Sequence, residues 1–225
     1  MNQDIALRKA RLTTPRAAAL AGIVFSVLLI TSLVLIRISV PTDPQDAGDW
    51  LVGGLKTVSL ALNIVPFAGI AFLWFIGVLR DRIGEHEDRF FATVFLGSGL
   101  LFLSTLFTAT ATAGGMISTY GAAGSMLVES GIYAYNRAVT YEIMNVYSMK
   151  MAGVFMISTC TLSLRTGIIP RWMAFLGLVL ALFLLLSIGF FAWASLVFPL
   201  WVLLISVYIL LANIGRPRDE SKEIA

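Results

Sequence analysis

Cysteine and histidine are nearly absent: Cys160 and His86 are the only ones among 225 residues. A lone cysteine permits no intrachain disulfide and no cysteine-built zinc or iron–sulfur site. A lone histidine excludes a bis-histidine haem and a His-rich metal centre within one chain, so no cofactor and no metal are expected. Charge is scarce as well. Only 13% of residues are Asp, Glu, Lys or Arg, against about 25% in a soluble domain. The familiar catalytic signatures G-x-S-x-G, Walker A and H-E-x-x-H do not occur. Paired acids are missing from the apolar runs, which argues against an intramembrane aspartyl protease or a two-metal centre.

Apolar residues fill that space. They make up 58% of the chain, and the mean hydropathy is +0.88. Charges sit in short islands between apolar stretches of about 20 residues, the length that crosses about 30 Å of hydrocarbon. The pattern predicts an all-α polytopic membrane helix bundle with six transmembrane helices, over about 17–38, 57–79, 91–113, 141–164, 172–192 and 195–213. Residues 1–16 form a basic N-terminal segment and 214–225 a polar tail. The first run follows the basic "LRKARLTTPR" but is too long for a signal-peptide core. "LIRISVPTD" offers no small-x-small cleavage site, so the run is expected to be retained.

Orientation follows from the cations. With the N-terminus inside, twelve of the sixteen Lys and Arg fall in cytoplasmic segments. The exceptions are Arg37, Lys56, Arg137 and Lys150. The positive-inside rule therefore predicts N-in/C-in topology in a bacterial cytoplasmic membrane. The same rule explains a pI near 9.2 without a nucleic-acid partner. In "RTGIIPRW", Gly167 is suited to end one helix and Pro170 to begin the next. The segment 114–138 is too long for a plain turn and predicts a short helix lying on the outer surface and covering the bundle mouth. The link near 193–195 is short, which predicts direct antiparallel contact between the last two spans. Gly and Ser in "FLGSGLLF", and Gly177 with Ala181, mark sites where helices can approach closely. His86, in the charge-mixed "RDRIGEHEDR", reads as solvated.

One stretch breaks the apolar pattern. "TYEIMNVYSMKMAGVFM" (140–156) carries Glu142, Asn145, Tyr147, Ser148 and Lys150. Counting from the inner anchors puts Lys150 about 6–7 Å outward of the midplane and Asn63 about 9 Å outward. Thr105 and Thr108, within "STLFTATATAGG", reach a comparable height. Three readings of Lys150 stand side by side. It can snorkel to the headgroups along its aliphatic stem, make a structural hydrogen bond in the bundle, or serve a ligand. Glu142 is a poor ion-pair partner, about 12 Å along the axis and about 80° around it. The threonine hydroxyls ordinarily bond their own helix's carbonyls, and Asn63 beside Pro66 suits a kink.

At "RTGIIPRWMAFLGLVLAL" and "FLWFIGVLRDRIGEHEDRFFATVFLGSGLLF" the chain resembles a bacterial family of six-span integral membrane proteins that carry an IPRW-like cytoplasmic turn. That family has no established activity. The resemblance implies a topology and no site residues.

The leading functional expectation is non-enzymatic: binding or transport of a small anionic or amphiphilic ligand, conceivably a lipid. Its pocket is expected between the second, third and fourth spans, with Lys150 supplying charge. Asn63, Asn145, Tyr147, Thr105, Thr108 and Glu142 complete the expected site. The bilayer itself is the first partner, and a homo-oligomer or a partner membrane subunit is compatible with the sequence. The alternatives are an accessory subunit without a ligand, and a lipid-modifying enzyme using Glu142 or Lys150 as acid or base.

Overall fold

The computed structural model describes residues 2–41, 48, 50–83, 89–124, 126–187 and 193–214, and every regular element among them is helical. In chain order these are α1 (Asn2–Ser39), α2 (Trp50–Gly53), α3 (Leu55–Ile83), α4 (Arg89–Ala123), α5 (Met126–Glu129) and α6 (Ile132–Glu142). A π-helical turn (Ile143–Ser148) follows, then α7 (Met149–Thr166), α8 (Arg171–Leu186), a 3₁₀ turn (Ala194–Leu196) and α9 (Val197–Ile214). His86, most of the loop after Val40, residues 188–192 and the tail from 215 lie outside the described residues.

Each of the six apolar runs carries a helix among the described residues, but four are long and apolar enough to cross a membrane: 17–39, 55–80, 92–122 and 194–212. The other two fall short for separate reasons. α8 has 16 residues, about 24 Å at 1.5 Å per residue. α7 is diluted by Lys150 and by Ser158, Thr159, Thr161 and Ser163; the hydroxyls of Ser158, Thr159 and Thr161 turn back to bond carbonyls of their own helix. The coarse reading stands: this is an all-α chain with the helices of an integral membrane protein.

α1 packs along α3 on one side and α9 on the other; α4 bridges α3 and α7, and α8 lies against α7. Lipid offers little hydrophobic drive for helix association, so close packing must supply it. Seven fully buried phenylalanines do so: Phe25, Phe72, Phe75, Phe95, Phe102, Phe155 and Phe198, drawn from α1, α3, α4, α7 and α9. Phe72 is the hub, with ring centroids 4.6 Å from Phe25, 5.2 Å from Phe155, 5.4 Å from Phe102 and 5.6 Å from Phe198. Each such pair adds about 0.5–1.5 kcal/mol beyond the area it buries.

Small residues set the helix spacing. A side chain at Gly99 would strike Ile76 and press on Phe155, and one at Gly177 would strike Cys160 and Trp201. At Gly153 it would come within 3.1 Å of the Ala181 carbonyl oxygen. Gly97 has open space beside it, so only the second glycine of "FLGSGLLF" has a packing role. The turn at 167–170 takes the expected form: Gly167 adopts φ 68°, its amide donates to Ser163, and Pro170 caps α8.

One expectation holds in part and one changes. α9 meets α8 where Trp201 lies beside Gly177, but it packs chiefly along α1, where Ser206 lies against Gly22. The segment 114–138 does cover one end of the bundle, but not as one separate helix. α4 runs on to Ala123, Gly124 turns the chain at φ 57°, and α5 and α6 fold back as a small cap. Leu51, Met116, Leu127 and Tyr133 form its own core. The Trp50 indole donates to the Tyr133 hydroxyl at 2.9 Å, which ties α2 to the cap.

Candidate ligand cavity beneath the cap

Between the phenylalanine layer and the cap the same helices part and leave a cavity of about 430 Å³. α1, α3 and α4 form three of its walls; the end of α6 with the π turn, and the 3₁₀ turn, complete it. Its depth can be counted along the helices. Leu29 lies four residues beyond Phe25 and Leu106 four beyond Phe102, each about 6 Å above the ring layer. Ile117 lies about 22 Å above it. The cavity therefore runs over about 16 Å of bundle height.

Its wall is largely aliphatic, with Leu29, Leu33, Leu62, Val65, Leu106 and Met144. Ala109 and Ala113 make the space, since larger side chains there would fill it. At middle height the polar wall groups already have partners. Ser32 donates to the Ala61 carbonyl at 2.8 Å, Thr110 to Leu106 at 2.8 Å and Asn145 to Tyr141 at 3.1 Å. Thr140 shares a 3.0 Å hydrogen bond with Thr112.

The rim is different. Arg37, Pro41, Trp50, Arg137, Tyr141 and Trp193 surround it. Arg37 occupies the last turn of α1, where a cation also answers the helix dipole. Its guanidinium carbon lies 5.8 Å from the Trp193 ring centroid, a cation–π contact. That contact is the only partner of the Arg37 side chain among the described residues. Arg137 is anchored: it donates to the Pro41 carbonyl at 2.7 Å and to the Tyr133 hydroxyl at 3.3 Å. Among the described residues lining the cavity there is no carboxylate. The site is a greasy shaft with a cationic, aromatic mouth.

Of the seven residues expected from the sequence, the structure brings one, Asn145, into this wall. Asn63 and Thr108 are exposed on their helices, although Leu62, Ala109 and Thr110 beside them line the cavity. Thr105 bonds its own helix and accepts a 2.8 Å hydrogen bond from buried Ser148. Tyr147 and Glu142 are exposed, and Lys150 stands half-buried on the first turn of α7, outside the wall. The expected site is thus not assembled around Lys150. The pocket takes in the first span as well, and its charge comes from Arg37 and Arg137. Both were visible as two of the four cations outside the segments expected to be cytoplasmic. The π turn explains part of the shift, since such turns insert a residue into the helical register and recur at functional sites.

No protein family, no curated protein and no solved structure matches the chain.

Proposed function

We propose that this chain is a non-enzymatic membrane protein that binds a small amphiphilic anion in the cavity beneath its cap. It has six spans, with both termini inside a bacterial cytoplasmic membrane. The cap then stands outside, and the phenylalanine layer sits near the midplane. The lower shaft lies in the outer leaflet, and the Arg37 rim lies at headgroup height, about 18 Å from Phe25 along α1.

One observation carries the reading: a half-buried arginine whose side chain meets, among the described residues, only an aromatic ring, at the mouth of an aliphatic cavity. At headgroup height such a cation is satisfied by water or by an anionic partner. A phosphate or carboxylate head supplies the partner through charge-assisted hydrogen bonds, which Arg makes bidentately. The aliphatic shaft takes the tail. Hydrogen bonds to a charged group contribute about 1.5–3 kcal/mol, so Arg37→Gln is expected to weaken anion binding about 10- to 100-fold. The test is native mass spectrometry of the purified protein with tetradecyl phosphate. Equal occupancy in wild type and Arg37→Gln would refute the reading.

The orientation has a separate test. A periplasm-active reporter fused after Ala225 should stay silent, while one inserted in the segment between Val40 and Trp50 should be active. The reverse pattern would refute N-in/C-in.

A further inference from the structure

Resting on that reading of the cavity, we infer that its ligand enters and leaves sideways, from the outer leaflet, through a seam between α1 and α6 that Arg137 bars. Helix packing places the seam. α1 packs on α3, α3 on α4, and α4 on α6 and the π turn. All of them line the cavity, so its wall is an arc with α1 at one end and α6 at the other. The 3₁₀ turn packs against α1 and extends that end. Among the described residues no close packing of α6 on α1 or on the 3₁₀ turn completes the ring. Exposure marks the same place. Three of the lining residues are exposed: Pro41 at the end of α1, Tyr141 on α6 and Trp193 at the 3₁₀ turn. Every lining residue of α3 and α4 is buried or half-buried. A side chain that lines a cavity and is also exposed lies where the cavity reaches the surface.

Height decides what the seam faces. Trp193 lies five residues before Phe198, about 8–9 Å above the ring layer, and Pro41 sixteen beyond Phe25, about 24 Å above it. Half the hydrocarbon thickness is about 15 Å, so the seam runs from the lipid chains to the headgroups, where Trp and Tyr are favoured. A tail that slides in from the bilayer never crosses water, which every methylene disfavours. Arg137 crosses the seam at the top. From α6 it donates through Nη2 to the Pro41 carbonyl at 2.7 Å and through Nη1 to the Tyr133 hydroxyl at 3.3 Å. Tyr133 is buried in the cap core and also accepts from Trp50, so the bar is anchored in the cap and holds the end of α1. A head group passing between α1 and α6 must displace the bond to Pro41. An anion is suited to do so, because Arg137 then exchanges a carbonyl for a charged acceptor.

The experiment follows bound tetradecyl phosphate exchanging for its deuterated form on the whole chain in phosphatidylcholine nanodiscs, by native mass spectrometry. In Tyr141→Cys, a bulky maleimide attached after loading narrows the seam and should slow exchange about tenfold. The same label on Leu182→Cys, on the exposed face of α8, should not; the native Cys160 is buried. Arg137→Lys keeps the charge but offers one donor atom where Arg137 uses two. It should speed exchange about fivefold while the dissociation constant moves less than about threefold, so that association quickens too. A residue that merely held the bound head would raise the exchange rate and the dissociation constant together. Equal exchange with the label at either site would overturn the side route. Unchanged exchange in Arg137→Lys, or a matched loss of affinity, would overturn the bar. Either result leaves the anion reading standing. No binding of tetradecyl phosphate by the wild type would overturn that reading and this inference with it.

Discussion

The phenylalanine layer and the cavity above it are built on the same helices, a few turns apart, and they solve opposite problems. In the layer, Phe25, Phe72 and Phe102 close the space between α1, α3 and α4 completely. Four to seven residues further along, the same helices present Leu29, Val65 and Leu106, and then Ala109 and Ala113. The rings give way to smaller side chains and a shaft opens. The layer contains no charge; the shaft ends in two arginines. Stability and binding are thus separated along the bundle axis, and each region can be altered while the other serves as the control.

The largest effect is expected in the layer. Phe72→Ala removes the hub ring and should cost about 3–5 kcal/mol, read as a lower thermal midpoint in detergent. Phe175→Ala, on an exposed face of α8, should change it little. If the two behaved alike, the layer would not be the structural centre. Arg37→Gln should do the reverse, leaving the midpoint within about 1 kcal/mol, the scale of its contact with Trp193, while removing most anion binding. A smaller and more local change belongs to the cap. Trp50→Phe deletes the hydrogen bond to Tyr133 and should cost about 1 kcal/mol, with faster amide exchange in α5 and α6 and little change in the layer. The smallest is Lys150→Met. Because Lys150 lies outside the cavity wall, binding should stay within about twofold; a tenfold loss would return the site to the residues around it.

The contrast also shows what the sequence discloses and what it hides. Helix positions were legible because apolar runs separated by charge islands have little alternative in a bilayer. The Gly167–Pro170 turn was legible because both residues constrain the backbone locally. Height was legible too: Asn63, Thr105 and Thr108 do lie level with the cavity. Azimuth was not. Successive helical residues differ by about 100°, so Thr108 is exposed while Ala109 and Thr110 line the shaft. Asn63 is exposed while Leu62 lines it. The π turn at Ile143–Ser148 adds a residue to its turn and shifts the face that Lys150 presents; nothing in its composition announces it. The cap was hidden for another reason. Its core joins Leu51 to Met116, Leu127 and Tyr133, contacts too distant in sequence for periodicity to reveal. Arg37 and Arg137 stood out singly as exceptions to the charge rule, and only folding makes them neighbours on one rim.

The claim that matters most is that Arg37 holds an anionic head over an aliphatic shaft. It is tested most directly by the dissociation constant of tetradecyl phosphate for the wild type, Arg37→Gln and Lys150→Met, measured side by side by native mass spectrometry. Binding weakened about 10- to 100-fold in Arg37→Gln and unchanged in Lys150→Met is the predicted result. Binding retained in Arg37→Gln, or lost in Lys150→Met, would contradict it.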